Sequence, residues 1–216
     1  MTRIAVALIA ILLLSTTACS GSLVHTKPQS AAVNDSITEL WARDIRRVAQ
    51  SGDWILTRSY SKAGDAIVAV TLGESFSHAS IYDAERGTII EAIEPVVREV
   101  PLESLLGRNR YAVIVRPPNT TPEQGQRALA RARSVLGAKF DHLGLIGVND
   151  DEQFYCSELV AWASNIDDVP LIVTPAELFE RGELIYLSGA RDEEQLQAAA
   201  VASSHRAAER VAARDL

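Results

Sequence analysis

One thiol, one imidazole and one carboxylate in this chain are spaced so that together they could cleave an amide bond: Cys156, His78 and Glu91. Cys156 stands in Gln153-Phe154-Tyr155-Cys156-Ser157-Glu158-Leu159-Val160-Ala161-Trp162-Ala163. Leu159, Val160 and Ala163 follow it at helical spacing, so one apolar face begins at the sulfur. A thiol at a helix N-terminus feels the positive end of the backbone dipole and unpaired N–H groups, which favour the nucleophilic thiolate. The plainer alternative is a cysteine that serves as a small buried hydrophobe.

His78 and Glu91 lie in two strand-like runs, Ser77 to Asp83 and Thr88 to Glu94, joined by Ala84-Glu85-Arg86-Gly87. If that loop closes a hairpin with Asp83 opposite Thr88, Ser80 faces Glu91 and His78 sits diagonally beside it on the same face. A shift by two residues would set His78 directly opposite Glu91, whereas a shift by one would separate them. Glu94 points to the other face and is the poorer partner. Singly, His78 reads as a half-buried strand histidine and Glu91 as a solvated strand residue. Jointly they carry more, because an imidazole needs a carboxylate or amide to hold its tautomer and a thiol needs an imidazole to activate it.

The chain has two cysteines, and the other, Cys19, falls in what reads as a leader. Thr2-Arg3 precedes an apolar run from Ile4 to Leu14, followed by Ser15-Thr16-Thr17-Ala18-Cys19-Ser20. The run is shorter than the roughly 20 residues a membrane-spanning helix needs, so a secretory signal over residues 1–19 is expected. The small residues before Cys19 resemble a bacterial lipoprotein processing site, in which the cysteine becomes the lipidated first residue; Thr16 stands where leucine is usual. Cys19 is then no disulfide partner for Cys156, and an exported protein with one unpaired thiol draws attention to that thiol. The expected location is the bacterial cell envelope, with the membrane as a partner through the lipid anchor. A net charge of −7 with no basic stripe argues against nucleic acid.

The elements that must position the three residues follow in order. Residues 20–35 read as a polar linker and 36–190 as one domain, opened by a helix with capping-box spacing at Ser36-Ile37-Thr38-Glu39. Asp53 to Thr57 reads as a strand, and Asp65 to Leu72 is open between strand and short helix. After the His78–Glu91 hairpin come extended chain from Val96 to Val100, a helical turn from Pro101 to Leu106 and a strand from Tyr111 to Arg116. A helix capped at Thr121 ends near Gly137, and a connection over Phe140 to Glu152 leads to the Cys156 helix. Asp150-Asp151-Glu152 lacks the ligand spacing of a calcium loop and reads as a solvated acidic turn. A helix capped at Thr174 and a strand from Leu184 to Leu187 close the domain. Residues 191–216 are an Ala- and charge-rich tail to which no chemistry is assigned.

Gly52-Asp53-Trp54-Ile55-Leu56, Ser77-His78-Ala79-Ser80-Ile81-Tyr82, Ile90-Glu91-Ala92, Val97-Arg98, Pro101-Leu102 and Tyr155-Cys156-Ser157-Glu158-Leu159-Val160 together resemble the YiiX/YaeF-like group. These are circularly permuted relatives of the NlpC-type cysteine peptidases within the papain-like superfamily. The resemblance covers roughly Asp53 to Leu187, with the histidine strand ahead of the cysteine helix as the permuted order requires. It implies an α+β, circularly permuted papain-like fold, an antiparallel sheet packed against helices with the nucleophile cysteine at a helix N-terminus. It carries the nucleophile onto Cys156, the base onto His78 and the orienting residue onto Glu91, and it implies a helix for Asp65 to Leu72. Gly52-Asp53 and Phe140-Asp141 match recurring positions, with a structural turn the reading for Asp53. The backbone N–H of Cys156 is the natural first oxyanion donor.

The activity expected is an exported cysteine hydrolase that cleaves an amide, with a cell-wall peptide as first substrate. No metal or organic cofactor is expected, since the four histidines have neither paired helical spacing nor cysteine partners. The alternatives are a lipid-directed acyltransferase or thioesterase of the lecithin retinol acyltransferase-like type, acting on a lipid-linked acyl substrate, a catalytically silent envelope binding module, and a structural lipoprotein with an inert thiol. Oligomeric state is left open by the sequence.

Overall fold

The computed structural model describes residues 26–60, 76–148, 150, 152–192 and 196. The expected Asp65 to Leu72 element, the leader with Cys19 and most of the tail lie outside them.

The first helix, α1, spans Ala31–Val48 and so begins five residues before the expected capping box. Ser30 is its N-cap and accepts a 3.3 Å hydrogen bond from the Val33 N–H. Ser36 Oγ instead donates to the Ala32 carbonyl at 2.8 Å, inside the helix. Ala31 and Ala32 are strong helix formers, so the helix extends back to the next competent cap, and residues expected to be linker become its first turn.

The strands are β1 (Trp54–Ser59), β2 (His78–Asp83), β3 (Thr88–Ile93), β4 (Val96–Pro101), β5 (Asn109–Arg116), β6 (Lys139–Phe140), β7 (Gln153–Phe154) and β8 (Glu183–Leu187). They form one eight-stranded sheet in the order β7-β6-β4-β3-β2-β1-β5-β8, antiparallel except for the short β6–β7 pair. Among the described residues the remaining α-helices are α2 (Leu102–Leu106), α3 (Pro122–Ser134), α4 (Cys156–Ala163) and α5 (Pro175–Arg181), with a 3-10 turn at Gly144–Ile146.

Both faces of the central strands are covered, which is why Trp54, Ile55 and Leu56 of β1 are apolar in succession rather than in alternation. Trp54, Leu56, Ala79, Ile81 and Ile90 pack with Leu129 of α3, Leu159 and Val160 of α4 and Leu178 of α5. On the other face Ile55, Tyr82, Ile89 and Ile114 pack with Trp41 and Ile45 of α1 and Leu102, Leu105 and Leu106 of α2. Burying each of the larger of these side chains contributes on the order of 1.5–3 kcal/mol.

Thr121 caps α3 with the expected reciprocal box, its Oγ accepting from the Gln124 N–H while Gln124 Oε1 accepts from the Thr121 N–H. The tail expected from Arg191 onward starts differently: Arg191 and Asp192 are buried. Arg191 Nη1 donates to Asn34 Oδ1 and Thr38 Oγ1 at 2.8 Å, and Nη2 to the Leu106 carbonyl at 2.8 Å. These bonds join the C-terminal end of the described domain to α1 and α2.

Candidate active site

Cys156 is the first residue of α4, after an extended Tyr155 whose N–H donates to Glu158 Oε2 at 3.2 Å. The apolar face read from Leu159, Val160 and Ala163 holds α4 against β2 and β3. That contact brings the sulfur over the start of β2, where the His78 ring and the Ala79 backbone N–H act on the thiol. Ser157 follows with its Oγ 3.9 Å from the sulfur, donating to the Val173 carbonyl at 2.7 Å. The Val173 N–H in turn donates to the Tyr155 hydroxyl at 2.8 Å, so the chain before α5 is fastened to both neighbours of Cys156.

The β2–β3 hairpin has the register Asp83↔Thr88, Tyr82↔Ile89 and Ile81↔Ile90. Carried one residue further, it brings Ser80 to Glu91 with His78 diagonal to it, the first of the two arrangements that keep the pair on one face. His78 Nε2 lies 2.6 Å from Glu91 Oε2. Nδ1 is thus the ring nitrogen left for the sulfur. Glu94, the poorer alternative, is a mostly exposed residue whose Oε1 lies 3.9 Å from Nε2 of the surface residue His142.

Glu91 is fully buried and has cationic neighbours beyond His78. Arg98 donates to Oε1 through Nε at 3.0 Å, with Nη2 2.9 Å from the same oxygen as an ion pair, and Arg108 donates to Oε2. Arg98 is not among the site residues expected from the sequence; the signal that could have found it is a two-residue turn at Glu94-Pro95, which pairs Ile93 with Val96 and so sets Arg98 opposite Glu91. Arg108 follows the Gly107 cap of α2, and no periodicity in the sequence points from there to Glu91.

The electrostatics follow from burial and these contacts. Burial opposes an imidazolium at His78, but the hydrogen bonds and charges of Cys156 and Glu91 outweigh it and push the ring up to about 9. Burial would also raise the Glu91 carboxyl, yet His78 and Arg108 hold it down at about 2. For Cys156 burial again opposes the charged form, and His78, the Ala79 N–H and Ser157 bring the thiol below its ordinary value. A lowered thiol beside a raised imidazole favours transfer of the proton from sulfur to ring.

Two other sequence candidates are structural. Asp53 receives both Arg116 Nε and Nη2 at 2.9 Å and caps the Gln50 N–H at 2.8 Å, tying β1 to β5. Asp141 accepts from the N–H groups of Leu143, Gly144 and Asp150, so it shapes the loop that leads into α4. Asp150 Oδ1 accepts from the Glu152 N–H at 2.9 Å.

Comparison with known proteins bears on the fold and the family. No curated protein matches the chain. Among solved structures, the fold resembles that of yiiX from Escherichia coli O157:H7, described as a metalloprotein, at a TM-score of 0.52 and 20% identity, over 63% of this chain and 96% of that one. Residues 48–204 match the family model described as permuted papain-like amidase enzyme, YaeF/YiiX, C92 family. The chain therefore belongs to the permuted papain-like amidases of the YaeF/YiiX family, and by that membership it is a cysteine hydrolase of the amidase and peptidase type.

Proposed function

We propose that this protein cleaves an amide bond through a Cys156–His78–Glu91 triad and that its substrate is a peptide of the cell wall. The observation that supports the triad most is the single chain of contacts from the Cys156 sulfur through the His78 ring to Glu91, at 2.6 Å on its second link. The thiolate attacks the carbonyl carbon, and negative charge develops on the carbonyl oxygen near the N–H groups of the first turn of α4. As the C–N bond breaks, the imidazolium gives its proton to the leaving amine and a thioester remains. Neutral His78 then takes a proton from water, whose oxygen displaces the sulfur and releases the acid. Glu91 keeps the ring oriented and its tautomer fixed throughout.

The cell-wall substrate and export rest on the leader and its Cys19 processing site, with a lipid anchor at Cys19 as part of the same proposal. Among the described residues no helix is long and apolar enough to cross a membrane. The yiiX protein is called a metalloprotein, but the donor set here does not suit a metal. Both oxygens of Glu91 are taken up by arginines and His78, and among the described residues no group of three or more His, Cys, Asp or Glu could hold an ion.

A lipid-linked acyl substrate is the second reading, favoured by exposed Leu143, Ile146, Val148, Leu171 and Ile172 on two loops that meet where Gly147 packs on Leu171. The deciding experiment compares hydrolysis of stem-peptide amides and acyl esters by the wild type, Cys156→Ser and His78→Ala. Loss of cleavage by at least about a hundredfold in both variants, with folding retained, is expected. Full activity in Cys156→Ser would end the mechanism.

A further inference from the structure

We propose that Arg98 and Arg108 are positioning residues of the reaction, which set the pH range of the Cys156–His78 pair from the far side of Glu91. This rests on the triad reading above and adds a function for two side chains that never reach the sulfur.

Glu91 has no exposed surface, and a buried carboxylate opposed by a neutral imidazole alone would draw a proton. Here its oxygens are divided. Oε1 belongs to Arg98, which donates from Nε at 3.0 Å with the charged Nη2 2.9 Å away, and Oε2 is shared by Arg108 and His78. The arginines therefore keep Glu91 an anion whatever His78 does, so the proton stays on the ring and does not pass to the carboxylate. They also offset its charge. Among the described residues, the charged groups that face the pair are Cys156 from α4, Glu91 from β3, Arg98 from β4 and Arg108 from the turn after α2, while β1 sets neutral Thr57 opposite His78.

The sign of the effect is fixed. Removing a cation makes protons bind more tightly at every nearby site, so the thiol and the imidazole both titrate higher without Arg108. A unit charge acting over one intervening side chain, in a partly solvated setting, moves a titration by about half a pH unit or more. Arg108 is 29% exposed and Arg98 41%, so Arg108 has the larger effect.

The test is the rate of Cys156 alkylation by iodoacetamide against pH in the full chain, with thermal unfolding measured in parallel. Wild type is compared with His78→Ala, Arg108→Gln, Arg108→Lys and Arg98→Gln. The midpoint should rise by about half a unit or more in Arg108→Gln, rise less in Arg98→Gln, and return in Arg108→Lys, which keeps the charge without the fork. A purely structural role would lower rates evenly and leave the midpoint in place. Folded Arg108→Gln with the wild-type midpoint overturns the proposal alone. If that variant does not fold, an unmoved midpoint in folded Arg98→Gln does the same. An ordinary thiol titration in wild type, indifferent to His78→Ala, overturns the triad reading and this proposal with it.

Discussion

Glu91 is a carboxylate removed from water, and its ionisation is bound up with the fold. Its carboxyl lies at about 2 in the folded protein against an ordinary 4.5. The contribution to stability is therefore present above pH 4.5 and lost as pH falls through about 2, amounting to no more than about 3 kcal/mol. His78 has the opposite sign. Raised from 6.5 to about 9, it stabilises below pH 6.5 and loses that contribution as pH rises through about 9, where hydrolysis also loses the proton its leaving group needs. Denaturant unfolding across the acid range should show a shallower loss of stability in Glu91→Gln than in wild type. Parallel curves would mean that Glu91 does not titrate as its contacts require. The His78–Glu91 contact was legible beforehand, because a four-residue loop and period-two alternation leave few registers. Arg108 was not, since it reaches Glu91 from outside the hairpin.

At the scale of elements, the site depends on how closely α3 and α4 approach the sheet. The Ser51-Gly52 turn before β1 lies against the first turn of α3 so tightly that a Cβ on Gly125 would come within 2.1 Å of the Ser51 carbonyl oxygen. Gly52 itself has φ +94° and would place a Cβ 2.4 Å from Gly125 Cα. Neither contact involves a flexible side-chain end, so the backbones must part to admit a methyl. Gly125→Ala should cost about 1–3 kcal/mol in denaturant unfolding, while wild-type stability in that variant would show that the helix slides freely. The start of α1 shows the limit of reading elements one at a time. Ser36 and Glu39 have the spacing of a capping box, but capping is decided by whether the preceding residues can continue the helix, and Ala31 and Ala32 can.

Across the whole molecule, the chain ends of the described domain are joined through Arg191. Its guanidinium lies 4.0 Å from the centre of the Trp41 ring and donates to Asn34, Thr38 and the Leu106 carbonyl, so α1 and α2 share one buried cation. Beside it Asp192 accepts from Arg110 Nε on β5 and from the Tyr60 hydroxyl at 3.3 Å. Arg191→Ala leaves those acceptors unpaired in the core and should cost at least about 1–3 kcal/mol, read as a drop in unfolding midpoint; an unchanged midpoint would show that water takes its place. Nothing in residues 191–216 set Arg191 apart, because an Ala- and charge-rich stretch has the same composition whether its first arginine is solvated or buried. The sequence by itself determined the chemistry-bearing residues, the order of His78 before Cys156, and the hairpin that joins His78 to Glu91, since these depend on local spacing and period. The tertiary structure alone decided that the sulfur meets His78 and the Ala79 N–H, that two arginines cover Glu91, and that Arg191 closes the domain. Those contacts join residues far apart in the chain, and only the packing of both helical layers on one sheet fixes such distances.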